Sequence, residues 1–322
     1  MCQSDNTFFG SPEFLKYAAY SSAIISIPVH IFGFYCIIFK TPAKVKSVKS
    51  ALLLSSFCAF LFDIFMTLLS IPFLLLPALA LYPLGLLKYT SISIKHQTVI
   101  STCLALATFC SIISLMQNRY NQISGKYSTN SQILLFLINC FAGSIFTIVA
   151  FFYVPEQSSA KHYIFNEILP CLPKYIYDSD VFVIATSTVG AKALSAIQVF
   201  IALSEIFIFV FLTFYNLNYK TNSSLSTTTR KLQKNLFIAI CLQVSVPITA
   251  LFAPSIYIGY SFTFGYYNQG LNNIAMVFVF LHGTLETVSM VLIHRPYRNI
   301  LFRRDYKSSM MFSVRNSYTN VN

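Results

Sequence analysis

"VISTCLALATFCSIISLMQNRYNQ" (residues 99–122) decides how the rest of the chain is read. From Val99 to Met116 no residue carries a formal charge; Arg119 and Tyr120 then arrive among Asn and Gln. A run of that length suits a bilayer crossing, which takes about 17–25 residues at about 1.5 Å each. Hydrocarbon offers no partner to a free N–H or C=O, so a crossing of this kind is a helix. The guanidinium then marks the lip of the span.

The same reading, carried outward, gives seven apolar blocks: 17–39, 51–81, 99–116, 133–153, 195–215, 236–260 and 273–293. The 322 residues are 56% hydrophobic and 10% charged, against about 25% charged in a soluble domain. So few charges do not cover a water-facing surface. A membrane β-barrel would alternate over short segments instead. The expectation is an all-α membrane protein, a bundle of seven transmembrane helices, flanked by an amino-terminal segment (1–16) and a tail (294–322). Pro28, Pro72, Pro77, Pro247 and Pro254 fall inside the blocks and read as kinks. The first sixteen residues lack a basic start and an apolar run, so no cleavable signal is expected and the first helix inserts the chain.

Charge sets the orientation. One alternate set of connections holds sixteen of the 22 Lys and Arg and a single acid, Asp305. The other holds six Lys (Lys16, Lys88, Lys95, Lys161, Lys174, Lys192) and six acids. The positive-inside rule puts the richer set in the cytoplasm, with the amino terminus outside and the carboxyl terminus inside. The net charge of +12 is then a cytoplasmic-face charge suited to anionic lipid headgroups rather than to nucleic acid. Seven helices with an outside amino terminus is the topology of a G-protein-coupled receptor. A secondary transporter more often carries internal repeats, and no convincing repeat links the halves. An insect-type odorant-gated channel would have its amino terminus inside.

Several strings occur in order along the chain. They are "PEFL" (12–15), "IPVHIFGFYCIIFKTP" (27–42), "SIPFLLLPALALYPLGLL" (70–87), "NRY" (118–120), "LPCLP" (169–173), "LQKNLFIAICLQVSVP" (232–247), "YYNQGLNN" (266–273) and "LIHRPYR" (292–298). Together, from about Pro12 to Arg298, they resemble the nematode serpentine receptor class H family of chemosensory receptors. The resemblance implies a seven-helix receptor in the plasma membrane of sensory neurons, with cilia the expected site. It would detect an odorant or pheromone and signal through a heterotrimeric G protein. It does not imply a particular ligand.

Arg119 occupies the place where rhodopsin-like receptors carry Asp-Arg-Tyr, and the resemblance implies a switch role for it. Here the acid position is Asn118, preceded by Gln117, so restraint must come from neutral hydrogen bonds or another helix. The alternative is an interfacial Arg that snorkels and fixes topology. Tyr120, Lys231, Lys234, His294 and Arg295 fall at the same end and complete the expected G-protein face. The lack of Trp removes the rhodopsin-like toggle residue of the sixth helix.

Three acids lie within apolar blocks: Asp63, Glu205 and Glu286. An ionised Asp at midplane costs about 2.5–3.5 kcal/mol, which makes each a ligand-site or ion-site candidate. A hydrogen-bonded structural carboxyl is the alternative for each. The five His show no His-Glu-x-x-His spacing, so no metal site and no cofactor is expected. Arg295 to Arg304, with Ile300 and Leu301, reads as a short amphipathic helix on the inner surface. Cys171 lies in the longest outer loop, where a disulfide persists. By analogy with rhodopsin-like receptors its partner is Cys103, with Cys2 a rival. The Asn222 sequon falls on the cytoplasmic side and is expected to stay unglycosylated, within a flexible "TNSSLSTTTRK" (221–231) loop.

Enzymatic readings find no support. An intramembrane aspartyl protease needs two facing Asp, and no nucleophile turn or phosphate loop occurs. The function expected is that of a chemosensory receptor binding a small molecule among the outer halves of helices three, five, six and seven. The alternatives are a ligand-gated channel or transporter, or a receptor-like partner that does not signal itself.

Overall fold

A computed structural model of the chain describes residues 7–41, 46–125, 129–220 and 227–302. Cys2, the Asn222 sequon and the tail from Arg303 lie outside the described residues. Among those described, seven helices are long and apolar enough to cross a membrane. They are α1 (Pro12–Lys40), α2 (Lys46–Ile64, extended by a π turn at Phe65–Leu69), α3 (Ile94–Ser124) and α4 (Thr129–Phe152), then α7 (Thr188–Tyr215), α8 (Thr227–Phe264) and α9 (Gln269–Ile293). Short helices α5 (Gln157–Tyr163) and α6 (Lys174–Tyr177) lie between α4 and α7, and α10 (Arg295–Leu301) follows α9.

The helices begin and end where local chemistry dictates. Ser11 accepts from the Phe14 amide at 3.1 Å, and Pro12 starts α1 where its missing N–H costs nothing. Ser93 caps α3 through the His96 amide, and Gly125, at φ 71°, ends it in the left-handed region. Pro28, Pro247 and Pro254 sit inside helices, as expected. α1 packs on α2 and α9, α2 on α3 and α9, α3 on α4 and α7, and α8 on α9. α4 and α7 are the least buried of the seven long helices among the described residues.

The second apolar block departs from expectation. It is helical only to Leu69; beyond that it forms a hairpin of β1 (Pro72–Leu74) and β2 (Leu79–Pro83). Pro72 therefore opens a strand and Pro77 lies in the hairpin turn, and neither kinks a helix. Two prolines in six residues remove amide donors that a helix needs. A short, wholly apolar run cannot be told from a helix by periodicity alone. β3 (Phe182–Ala185) adds to β2, giving an antiparallel sheet in the order β1-β2-β3. Phe73 lies opposite Tyr82, with ring centroids 4.8 Å apart.

This sheet forms the floor of a cap. Leu15, Phe62, Phe73, Leu75, Ile164, Ile176 and Phe280 share one apolar core with the hairpin, so the cap is continuous with the helix ends beneath it. The hairpin stem closes where the Leu84 amide donates to the Ile71 carbonyl and the Gly85 amide to Ser70, each at 3.0 Å. A side chain at position 85 would stand 2.4 Å from the Leu69 carbonyl oxygen, which is why glycine occupies it. On the outer edge, the Gln157 amide brackets Val183, donating to its carbonyl at 3.1 Å and accepting from its amide at 2.9 Å. The side chain thus acts as a short extra strand and blunts the edge.

The first turn of α9 fastens the cap. Gln269 donates to the Leu74 carbonyl at 3.0 Å, and Asn272 to Leu76 at 3.3 Å. Asn273 donates to Phe9 at 2.8 Å and Ser11 at 3.1 Å, while Tyr257 of α8 holds Asn272 at 2.7 Å. The "NQGLNN" string is thus a set of amide side chains serving main-chain carbonyls that have no ladder partner. Replacing Gln269 and Asn272 together with Leu leaves those carbonyls unpaired, at about 1–3 kcal/mol for each group. Hydrogen–deuterium exchange across residues 72–83 is expected to speed up at least about tenfold in that double variant. Unchanged exchange would mean the hairpin does not depend on the latch.

Candidate functional site

Two polar constellations interrupt the apolar bundle. The first lies between α1, α2 and α9. Asp63, 0% exposed, is the centre. Its Oδ2 accepts from the Ser26 hydroxyl at 2.9 Å, lies 3.1 Å from His30 Nε2, and receives Thr284 at 3.5 Å. Its Oδ1 stands 3.3 Å from His282 Nδ1. That nitrogen also lies 2.9 Å from the Val279 carbonyl, the nearer of the two oxygens, and Oδ1 makes no hydrogen bond among the described residues. His30 Nδ1 meets the Thr287 hydroxyl at 3.0 Å.

Glu286 is one turn below on α9. It is buried and accepts from Ser55 of α2 at 2.5 Å. Two of the three membrane acids are therefore brought together. Glu205 is not among them: it is half-buried on α7, accepting from Asn139 of α4 at 2.7 Å. α9 approaches α2 closely enough that a Cβ at Gly283 would stand 2.7 Å from each Asp63 oxygen.

This geometry bears on ion binding. Hard cations take about six or more oxygen ligands, whereas Asp63 is ringed by a hydroxyl, an imidazole and a threonine that can each donate to it. Among the described residues, no three His, Cys, Asp or Glu groups could hold a metal ion. The arrangement suits a carboxylate partnered by the protein itself.

His30 and His282 are the residues that the sequence reading missed. Their signal was spacing within a span: Ser22, Ser26 and His30 fall on one face of α1, and His282, Glu286 and Ser289 on one face of α9. Each set is a buried polar stripe on an otherwise apolar helix.

The second constellation is at the opposite end from the cap. α3 runs past the apolar block to Ser124, and Gln117, Asn118, Arg119 and Asn121 are all buried. Arg119 is 2% exposed and points into the bundle, so it does not snorkel. No acceptor lies within hydrogen-bond distance of its Nε or Nη2 among the described residues. The neighbouring Asn118 donates to Gln132 of α4 at 3.0 Å and accepts from Gln122. His294, on which the Arg119 charge acts, is buried and meets Gln243 of α8 at 3.0 Å. Tyr120 is half-buried against Phe209 of α7. Lys231, Lys234 and Arg295 are exposed at this same end and take no part in the buried cluster.

The sequence matches the family described as "Serpentine type 7TM GPCR chemoreceptor Srh" over residues 10–304. The chain belongs to that family. It is also 26% identical over 311 residues to serpentine receptor class H-72 of Caenorhabditis elegans, covering 92% of this chain and 87% of that protein. A class H serpentine protein is a multi-pass membrane protein of the chemoreceptor type, and the family is one of receptors rather than of enzymes.

The structure corrects the disulfide expected in this class H chain. Cys171 is disulfide-bonded, but Cys103 is a free, exposed thiol, so the Cys103–Cys171 pairing is not made. Cys103 is nine residues into α3, about 14 Å along its axis from the capped end. A bridge needs Cα atoms within about 7 Å, and the loop carrying Cys171 packs in the cap.

Gly283 supplies the test of the Asp63 cluster. Gly283→Ala forces a methyl group into the carboxylate, and a large loss of monodisperse, folded receptor is expected. Overpacking of this sort costs about 1–3 kcal/mol or more. Gly259→Ala on α8, where a Cβ meets nothing within 4 Å, is the control and should leave yield and melting temperature intact. Equal behaviour of the two variants would remove the close α2–α9 contact from the account.

Proposed function

We propose that this class H protein is a plasma-membrane chemosensory receptor that detects a small molecule outside the cell and activates a heterotrimeric G protein inside. The capped end faces outward and the Arg119 end faces the cytoplasm, in keeping with the sixteen cations at the latter. Sensory-neuron cilia are the expected location, with an odorant or pheromone as ligand. The ligand is held among the outer halves of α3, α7, α8 and α9, where the sparse burial of α7 leaves one wall of the bundle able to move.

The observation that carries this reading is Arg119. A guanidinium stays charged and presents five donors in a planar fork. In this bundle it is buried, with no acceptor for two of its nitrogens among the described residues, beside neutral hydrogen bonds from Asn118 to Gln132 and from His294 to Gln243. An unsatisfied buried donor raises the energy of the closed packing. A packing that opens this end and offers an acceptor from a protein partner relieves it. A ligand that prefers the open packing then shifts the population toward it. Lys231, Lys234 and Arg295 supply an exposed cationic rim for an acidic partner surface.

The experiment is expression in cultured cells with a calcium or cyclic-nucleotide reporter, against a panel of small organic compounds. At matched surface level, Arg119→Ala is expected to weaken the evoked response by about 5–150-fold, the usual span of coupling energies. Arg119→Lys should retain part of it. A response that survives G-protein blockade would sink the coupling. Epitope tags read the orientation: an amino-terminal tag should stain on intact cells and a carboxyl-terminal tag only after permeabilisation, and the reverse pattern would refute it.

A further inference from the structure

The capped end carries six Lys and six acids in its connections, so its net charge is nil. That balance is not kept locally. A cavity of about 510 Å³ opens beside the sheet, between the 86–93 connection, the first turn of α3, α5 and the β2–β3 edge. Lys88, Lys95 and Lys161 line it, and Asp180 is its one acid. Lys161 and Asp180 pair at 3.5 Å, with Asp180 83% exposed, so their charges cancel without closing the cavity. Lys88 and Lys95 are left without an acidic counterpart in the wall.

The wall is built rather than incidental. Gln97, 2% exposed, donates to the Leu87 and Ile92 carbonyls and so fixes the loop that carries Lys88. The Lys95 ammonium lies 3.8 Å from the centroid of the Phe151 ring, which positions it without neutralising it. Tyr82 of β2 is 4% exposed. Ser179 stands near its hydroxyl but does not meet hydrogen-bond geometry, and burial keeps the phenol protonated as a donor. Leu87, Ile94 and Phe182 supply apolar surface between these groups. The volume falls in the usual range for small-molecule sites, about 300–1,000 Å³.

We propose that this cavity binds a small organic carboxylate, held by the Lys88 and Lys95 ammonium groups and the Tyr82 hydroxyl, with its apolar body against the sheet edge. The inference rests on the receptor reading above and names the chemical class that the receptor admits at its mouth. An ammonium–carboxylate hydrogen bond is charge-assisted and stronger than one between neutral groups. A neutral alcohol of the same shape forgoes that contribution, and an amine meets repulsion.

The test is direct binding of 4-phenylbutyrate to the full-length receptor in phosphatidylcholine nanodiscs, read by saturation-transfer NMR against empty discs. Saturable binding is expected, with 4-phenylbutanol and 4-phenylbutylamine failing to compete. Lys88→Gln with Lys95→Gln should weaken Kd at least about tenfold. Arginine at both positions should restore it, which separates lost charge from lost fold. Equal affinity for acid and alcohol, or a glutamine double variant that binds as tightly as the parent, overturns the proposal. Displacement of the probe by phosphatidylglycerol in the disc would assign the site to a lipid headgroup and overturn it likewise. The failures are distinguishable: a receptor that signals to neutral odorants while ignoring carboxylates loses only this site. One that binds the probe yet never drives a G protein keeps the site and loses the receptor reading.

Discussion

One carboxylate in an apolar medium organises this fold. An unpaired Asp at the midplane would cost about 2.5–3.5 kcal/mol, so Asp63 must gather donors from wherever the bundle can bring them. It takes Ser26 and His30 from α1 and Thr284 from α9, with His282 close by. The first two helices and the last span are thereby held to one point. Lipid tails are as apolar as the side chains they touch, so helix association in a bilayer relies on close packing and such polar contacts. Gly283 lets α9 reach the carboxylate, and the two together set the spacing of α2 and α9 on which the cap above and the Arg119 end below are built.

The cap extends the same logic outward. An apolar hairpin at the end of a bundle would expose carbonyls and amides along its edges. The sheet pairs some, Gln157 brackets the outer strand, and the first turn of α9 satisfies others through Gln269 and Asn272. The buried face of the hairpin joins the core formed by α1, α2 and α9. The result is a closed end on the bundle axis with an open cavity to one side. At the other end the chemistry is reversed: polar side chains turn inward around Arg119, while Lys231, Lys234 and Arg295 stay outside.

Much of this was legible in the residues, and the failures have physical reasons. The seven spans followed from apolar block lengths, which report directly on hydrocarbon thickness. Block ends were less visible: α3 continues through Gln117 to Ser124 because polar side chains there find partners inside the bundle. The 72–83 hairpin was hidden because a buried strand and a buried helix look alike when every residue is apolar. The prolines were the clue, and membrane helices tolerate proline too readily for it to decide. Asp63 and Glu286 stood out as acids, whereas His30 and His282 did not, since an imidazole in a span raises no alarm unless its partner is known. The disulfide expected at Cys103 failed because analogy fixes a helix but not the depth of a residue along it.

The long reach of the Asp63 cluster also constrains how the molecule is made. Asp63 and Thr284 are separated by 221 residues, and Asn273 closes on Phe9 across 264. On the ribosome, Ser26 and His30 of α1 enter the bilayer before the Asp63 carboxylate they partner, whereas His282 and Thr284 are translated last. The final span therefore completes the cluster, and it brings the amide latch of the cap with it.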